Sequence, residues 1–449
     1  MSSVTKVADP AEAGRPAVRA GLPQSSTSTL INLLGLVGFV LVLFWCKDRQ
    51  IIRIEAAMLA CLGYAIPIIA AEVLFLRTPW APSTGLDFSK ASFSLVRIST
   101  KLVGLYGAYA AIAFCYWLFP EYRGATYQPA FTVLKELLVP LVPVAALYVA
   151  FVDRHMKEPE DGLYHLGRAL LLRYDPAHRT AILQVLLGWI VKAFFWPIMF
   201  GSLAINMENM MRASFNVSQM TFPQFFTFAS TCLYTADVLA AVVGYVLALR
   251  LIDTHIRSTE PTASGWAICM MCYPPFLSVF INQYLAMNSQ NAIQILTDKP
   301  VLQAVWGCVA LILLTVYAWA SIAFGCRFSN ITHRGLISNG PYRFTKHPAY
   351  VCKTTFWWVL HAPFIPMTGL EDAVRYSIML TGVTIIYYLR AKTEERHMSH
   401  DPAYVAYALA MNRLSVFAGI ARLLPFLRYR APAGWQERPV PYTGLSSAK

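Results

Sequence analysis

A histidine and two tyrosines lie close together in the segment GPYRFTKHPAY, which runs from residue 340 to residue 350. His347 precedes a proline, which favours an extended backbone, and Pro348 suits the first turn of a helix. Tyr350 follows His347 by three residues. A helix that begins here would bring imidazole and phenol together beside backbone N–H groups that lack partners within the helix. The segment therefore predicts a site for a polar ligand that carries an aromatic group.

A second polar segment, RAKTEER, runs from residue 390 to residue 396 after an apolar stretch. Arg390 is suited to hold a carboxylate through charge-assisted hydrogen bonds, and Glu394 and Glu395 are suited to take up a proton. Tyr404 and Tyr407 follow. Taken singly, each of these residues also suits an ordinary membrane interface, so the joint occurrence of the two segments is what indicates a function.

Together the two segments resemble the isoprenylcysteine carboxyl methyltransferase family and its relatives, the phospholipid N-methyltransferases. The matching residues are Gly340, Pro341, Tyr342, Arg343, Lys346, His347, Pro348 and Tyr350 in the first segment, and Glu394, Glu395, Tyr404 and Tyr407 after the second begins. The chain departs from the family pattern at Cys352, where the family usually has glycine, and at residues 402 and 403, where it usually has glycine and an acid. The resemblance covers roughly residues 305 to 417.

The resemblance implies a membrane enzyme that transfers a methyl group from S-adenosylmethionine to a lipid or prenylated acceptor, with no metal. It implies that the first segment binds the cofactor, with side-chain contacts from His347 and Tyr350, and that Glu394 or Glu395 engages the cofactor's cationic or hydroxyl groups. The cofactor-binding residues expected on this basis are Gly340, Pro341, Tyr342, Arg343, His347, Pro348, Tyr350, Glu394 and Glu395. The expected catalytic residues are Arg390, which would hold an acceptor carboxylate, and Glu394 and Glu395. For an amine or thiol acceptor, one of the glutamates or His347 would take the proton.

Composition places the chain in a membrane. Of its 449 residues, 57% are hydrophobic and only 14% charged, and the mean hydropathy is +0.48, so there are too few charges to cover a soluble globule. We expect an all-α, polytopic helical bundle with about ten transmembrane helices. The apolar runs lie near 30 to 46, 54 to 76, 98 to 119, 131 to 152, 181 to 205, 225 to 249, 266 to 287, 301 to 325, 349 to 367 and 374 to 389.

The distribution of charge predicts the orientation. The net charge of +13 would suggest a nucleic-acid partner in a soluble protein, but in a membrane protein the positions of the charges decide, and we expect no nucleic-acid partner. Basic residues crowd the connections at 154 to 179, 250 to 257 and 327 to 346. The positive-inside rule then places these connections and both termini in the cytoplasm. The basic residues at 47 to 53 do not fit this pattern.

Four regions follow from these patterns. Residues 1 to 29, rich in Ser, Ala, Pro and Thr, are expected to be a disordered cytoplasmic tail, and residues 431 to 449 a second disordered tail. Residues 30 to 300 form a transmembrane region without an assigned role, and residues 301 to 430 a methyltransferase-like transmembrane domain.

Other functions remain open at this point. A metal-dependent desaturase needs several histidine clusters, whereas His397 and His400 are the only close pair. Sterol reductases, which use NADPH, share a related His-Pro segment, but their later motif differs from the Glu-Glu pair. A transporter or lipid-binding protein is the non-enzymatic alternative, suggested by the polar residues Glu72, Asp237 and Asn282 within apolar runs.

Overall fold

The computed structural model describes residues 22–213, 216–276, 291–365 and 369–435, and this part of the chain is mostly helical. In chain order its helices are α1 (Thr29–Asp48), α2 (Arg53–Phe75), α3 (Leu95–Leu118), α4 (Gln128–His155), α5 (Gly162–Leu170), α6 (Arg179–Arg212), α7 (Phe222–Val246), α8 (Ala263–Met270), α9 (Ala292–Ile295), α10 (Pro300–Ile322), α11 (Pro348–His361), α12 (Leu370–Met398), α13 (Pro402–Leu414) and α14 (Ala418–Leu423). Seven of these are long and apolar enough to cross a membrane: α1, α2, α3, α4, α6, α7 and α10. The chain therefore has the character of a multi-pass membrane protein.

Small residues bring α1 and α2 close together. A Cβ placed on Gly38 would lie 2.1 Å from the backbone oxygen of Gly63, so only glycine allows the two backbones to approach this far. The buried face of α2 continues with Ala56, Ala57 and Ala60. Within a membrane, helices associate through such close packing, because lipid tails are as apolar as the side chains.

One end of the bundle carries the segments 340–350 and 390–396, which we call the first and second motifs, and we call this end the site end. It collects the connections 76–94, 156–178, 247–262 and 323–347. The Arg250 guanidinium links three of them, since it donates to the Thr84 carbonyl at 3.1 Å and lies 4.0 Å from the Asp161 carboxylate. The last two connections pair as short antiparallel strands, β1 (Ser258–Thr259) and β2 (Thr332–His333). The three basic connections therefore share one end, as the charge pattern predicts.

The prediction of about ten spans is confirmed for seven of them. The second half of the run at 266 to 287, from residue 277, lies outside the described part of the chain. Glu260 before the run lies at the site end, and Ile293 after it packs near the start of α10 at the other end. The run at 349 to 367 forms α11, whose 14 residues span about 21 Å, less than the roughly 30 Å of a hydrocarbon core. The run at 374 to 389 lies within the 29 residues of α12, which carries charges at both ends.

The N-terminal segment 22–28 is ordered, which corrects part of the tail predicted for residues 1 to 29. The Ser26 amide donates to the Leu336 carbonyl at 2.8 Å, and the Ser338 hydroxyl donates to the Pro23 carbonyl at 2.6 Å. The Asn339 side chain donates to the Thr27 carbonyl at 2.8 Å. Serine and threonine composition predicted a solvated tail, but here the backbone of these residues finds partners in the connection that precedes α11.

Residues 431–435, the predicted start of the C-terminal tail, pack against the protein. Ala431 and Trp435 pack against a cluster that includes Tyr404 and Tyr407 of α13. Residues 1–21 and 436–449, which make up the rest of the two predicted tails, lie outside the described residues.

Contacts also cross the boundary drawn between residues 300 and 301. The Arg327 guanidinium, after α10, donates to the Glu72 carboxylate at the end of α2, and both side chains are buried. α10 packs against α7 along much of its length. The region that precedes residue 300 therefore supports the connection that carries the first motif.

Candidate functional site

A buried arginine anchors the connection 323–347 to the rest of the bundle. Arg334 donates to the Gly244 carbonyl at 2.7 Å and to the Leu247 carbonyl at 3.1 Å, at the C-terminal end of α7. It also donates to the Thr254 carbonyl at 2.6 Å. Helix C-terminal carbonyls lack partners within the helix and carry partial negative charge, so they suit a guanidinium. This arginine fixes the position of the first motif.

The first motif enters α11 as the sequence predicts. Gly340 has a φ of +53°, in the left-handed region that favours glycine, and it begins a short 3₁₀ turn. His347 is the residue before the first turn of α11, which begins at Pro348. The rings of His347 and Tyr350 stack with centroids 5.8 Å apart and planes 15° apart. The prediction that imidazole and phenol meet at the start of this helix is confirmed.

Glu395 is held by two lysines and a histidine. Its Oε1 lies 2.7 Å from the Lys346 Nζ and 3.2 Å from the His347 Nε2, and its Oε2 lies 2.8 Å from the Lys392 Nζ. Burial alone would raise the pKa of Glu395, but His347 and the two lysines outweigh it, so the pKa lies well below its usual range. The ionised carboxylate therefore joins the start of α11 to the end of α12.

Glu394, the preceding residue, faces a cavity at the site end. It accepts a hydrogen bond from the Tyr350 hydroxyl, and its side chain keeps 30% of its exposure. Glu394 lines this cavity, whereas Glu395 does not. The structure thus separates two neighbouring glutamates that the sequence leaves equivalent.

Arg390 lies one turn before Glu394 and is almost fully buried. Its Nη2 donates to the Asn330 side-chain oxygen and lies 3.4 Å from the Tyr273 hydroxyl. Its guanidinium also packs over the rings of Tyr273 and Tyr350, at 5.4 and 5.2 Å from their centroids. The side chain is therefore largely committed to protein groups, although it reaches the cavity wall.

Tyr407, which follows the second motif, contacts the first motif. The Tyr407 hydroxyl donates to the backbone carbonyl of Tyr342 at 2.7 Å. Tyr404 packs edge to face with Tyr429, with centroids 6.0 Å apart. α13 thus lies against the turn that begins at Gly340.

The cavity has about 160 Å³ of space that the centres of water molecules can occupy. Five of the predicted site residues line it: Tyr342, His347, Tyr350, Arg390 and Glu394. The other five, which do not line it, are Gly340, Pro341, Arg343, Pro348 and Glu395. Of these, Arg343 is exposed and the other four are buried parts of the turn, the helix start and the cation cluster. Half of the predicted site residues therefore line the cavity, and four of the others lie in the elements around it.

Sequence reasoning missed several residues of the cavity wall. Tyr273 and Asn330, which hold Arg390, and Lys353 and Tyr387 all line it. Only Lys353 carried a signal that could have been noticed, because it is a charge within an otherwise apolar run. Tyr273 and Asn330 are 117 and 60 positions from Arg390, and no local pattern joins them.

Among the described residues, no three His, Cys, Asp or Glu side chains come together as a metal site. Comparisons of the chain with protein-family models, with curated proteins and with solved structures found no match. The family resemblance stays a prediction, and it rests on the residues of the two motifs.

Proposed function

We propose that this protein is a membrane-embedded methyltransferase that uses S-adenosylmethionine and acts on a lipidic acceptor, in the manner of the isoprenylcysteine carboxyl methyltransferases. The observation that carries the proposal is that the two motifs meet at one cavity, where Tyr350 of the first bonds Glu394 of the second. A family pattern that joined two unrelated surface segments would not have this property.

The cavity wall offers groups that fit the cofactor. Glu394 would hold an ammonium or ribose hydroxyls, and the ring of Tyr342 would lie against the sulfonium or the adenine. The hydroxyls of Ser329 and Thr332, which line the cavity, have no hydrogen-bond partner among the described residues, so they are available to a polar ligand.

S-adenosylmethionine, when bound, supplies a methyl group on a cationic sulfur, and attack by an acceptor oxygen forms the new C–O bond as the C–S pair leaves with sulfur. The residues of this chain need to align the two groups and exclude water, since a carboxylate acceptor is ionised at neutral pH and needs no base. Tyr350 and Glu394 orient one another at the wall. His347, Lys346 and Lys392 hold Glu395, which keeps α11 and α12 in register.

The separation of the glutamates refines the proposed roles. Glu394 is the glutamate that we propose for contact with ligand, and Glu395 is proposed as a positioning residue. Arg390 would hold Tyr350 and Asn330 in place through its buried contacts, and it would reach an acceptor carboxylate only from the edge that faces the cavity.

The transporter alternative receives less support. Two of the polar residues that suggested it are bonded within the bundle: Glu72 accepts from Arg327, and Asp237 accepts from Tyr317 at 2.6 Å. Asn282 lies outside the described residues.

Calorimetry on the protein purified in detergent tests the proposal. We expect binding of S-adenosylmethionine and of its demethylated product, weakened about tenfold by Tyr350→Phe through the lost hydrogen bond to a carboxylate. NADPH should not bind. Binding of NADPH without S-adenosylmethionine would favour the reductase alternative, and binding of neither would contradict an enzyme of either class. A methyl-transfer assay on membrane extract, with a radiolabelled methyl group on S-adenosylmethionine, then tests the acceptor. We expect the label to appear in lipid or in prenylated peptide.

A further inference from the structure

Lys353 places a positive charge among aromatic rings on the wall of the cavity. It is the sixth residue of α11, and its position is about one and a half turns inside the helix start. Its Nζ lies 5.1 Å from the ring centroid of Tyr317, 5.5 Å from that of Trp357 and 5.7 Å from that of Tyr387. These three rings belong to α10, α11 and α12, so the ammonium is enclosed where the three helices meet.

No carboxylate oxygen lies within 4.0 Å of this ammonium in the described part of the chain. Other lysines at the site end differ: Lys346 lies 2.7 Å from Glu395, and Lys101 lies 2.9 Å from Asp153. An ammonium carries three N–H donors and is costly to leave without acceptors away from water. The rings attract its charge but accept no strong hydrogen bond.

Asp237 is the acidic group that acts on Lys353 from nearby, and it is already bonded. Its Oδ2 accepts from the Tyr317 hydroxyl at 2.6 Å, and its Oδ1 accepts from the Ser321 hydroxyl. Both donors lie on α10, so Asp237 is held against that helix. Lys353 itself lines the cavity, so its ammonium is within reach of a ligand there.

We propose that Lys353 binds the anionic group, a carboxylate or a phosphate, of an amphiphilic ligand whose apolar chain lies in the membrane. The three rings around the ammonium lower the polarity of its surroundings, which strengthens a charge-assisted bond to an anion. The outer faces of α12 near Ile378, Ile385 and Leu389 are apolar and exposed, as a lipid boundary requires. If the proposed function is correct, this ligand is the methyl acceptor. Anion binding by Lys353 does not itself depend on the proposed function.

Binding measurements on the full-length protein in nanodiscs test the proposal without requiring turnover. The carboxylate probe is N-acetyl-S-farnesylcysteine, paired with its neutral methyl ester. The phosphate probe is lysophosphatidic acid, paired with the neutral monoacylglycerol. We expect the wild type to prefer at least one anion over its neutral partner by about tenfold. The probe with the larger preference shows whether the natural ligand carries a carboxylate or a phosphate.

The Lys353→Met variant should reduce that preference to about twofold or less while affinity for the neutral partner stays the same, and Lys353→Arg should keep most of it. Lys192→Met is the matched control, because Lys192 also lies over a ring, 4.5 Å from the centroid of Trp189, but does not line the cavity. An anion preference that survives in Lys353→Met, or that is absent from the wild type, would overturn the proposal.

Binding of S-adenosylmethionine to the same samples separates the two proposals. Retained cofactor binding in Lys353→Met would show that the variant is folded. A wild type that binds the anion through Lys353 but does not bind S-adenosylmethionine would contradict the proposed function and leave the anion site intact. Complete displacement of the amphiphile by inorganic phosphate would instead show that the site takes a small free anion.

Discussion

Tyr350 of α11 donates a hydrogen bond to Glu394 of α12, while the adjacent Glu395 is bound by a histidine and two lysines. Successive residues on a helix point about 100° apart, so one glutamate faces the cavity and the other faces the start of α11. The two carboxylates therefore have different environments, one partly exposed and one buried, and substitutions at the two positions should have different consequences.

The first prediction compares Glu394→Gln with Glu395→Gln. Glu394→Gln should weaken binding of S-adenosylmethionine about tenfold and change stability little, because its carboxylate is partly exposed. Glu395→Gln should lower the free energy of unfolding by about 3 kcal/mol, because it leaves buried cations without their anion. Calorimetry and reversible denaturation in detergent measure the two effects. Equal effects of the two variants on cofactor binding would contradict the separation of roles.

The second prediction concerns stability at mildly acidic pH. Burial is the main reason that the pKa of His397 falls from 6.5 to about 4; the Glu260 carboxylate opposes the shift, and His333 and His400 add to it. Between pH 6.5 and 4 the unfolded chain binds this proton and the folded protein does not, so stability falls as pH falls. The loss should reach about 3 kcal/mol near pH 4.

Replacement of His397 by Gln tests this prediction, because the variant should lose less stability between pH 7 and pH 4.5 by about the share that His397 contributes. His255, whose pKa burial lowers to about 3, still contributes its own share in the variant. Glu395 does not contribute in this range. Its pKa is lowered from an ordinary value of 4.5, so the stability that it provides is present above pH 4.5 and is lost only as pH falls further. An identical pH profile for wild type and variant would rule out His397 as the titrating group.

Local patterns predicted the parts of the site that neighbouring residues determine. Proline chemistry located the start of α11, and the three-residue spacing brought His347 and Tyr350 together. The pairing of Arg390 with Asn330 could not be predicted, because it depends on how α12 packs against a distant connection. Which of the two glutamates faces the cavity could not be predicted either, since it depends on the rotation of α12 about its axis.

The same distinction applies to the fold. Seven apolar runs became long helices because hydropathy and length determine that outcome directly. The run at 349 to 367 did not, because α11 ends at His361 and Ala362 adopts the left-handed region with a φ of +41°. Hydropathy cannot detect such a helix end.

The third prediction concerns the hydroxyl of Tyr407, which donates to the Tyr342 carbonyl at 2.7 Å. Tyr407→Phe should leave that carbonyl without its partner, cost about 1 kcal/mol and weaken cofactor binding about threefold to fivefold, because the turn before α11 becomes less fixed. Tyr388→Phe is the control: its hydroxyl also donates to a carbonyl, that of Phe426 at 3.0 Å, but it does not line the cavity. Calorimetry should show weaker binding for the first variant alone.

The fourth prediction concerns the N-terminal segment 22–28. Removal of residues 1–21 should leave the site unchanged. Removal of residues 1–28 should expose the backbone of residues 336–339, because four hydrogen bonds between the two segments are lost, among them the one that the Ser338 amide donates to the Ser25 hydroxyl at 3.2 Å. Hydrogen exchange followed by mass spectrometry should show faster exchange in residues 336–343 only for the longer deletion. Equal exchange in the two truncated proteins would mean that the segment does not support the site.

The last prediction concerns the side of the membrane that the site end faces. Glu158 and Arg343 are exposed at the site end, whereas Arg49 is exposed in the connection between α1 and α2 at the other end. By the positive-inside rule we expect the site end to face the cytoplasm, where a water-soluble cofactor would be available. In a background without the nine native cysteines, Glu158→Cys and Arg343→Cys should react with a membrane-impermeant maleimide only after the cells are permeabilised. Arg49→Cys should react in intact cells, which controls for the reagent. Labelling of Arg343→Cys from outside would reverse the orientation and place the cavity away from the cytoplasmic supply of S-adenosylmethionine, and the proposed function would then lose its access to the cofactor.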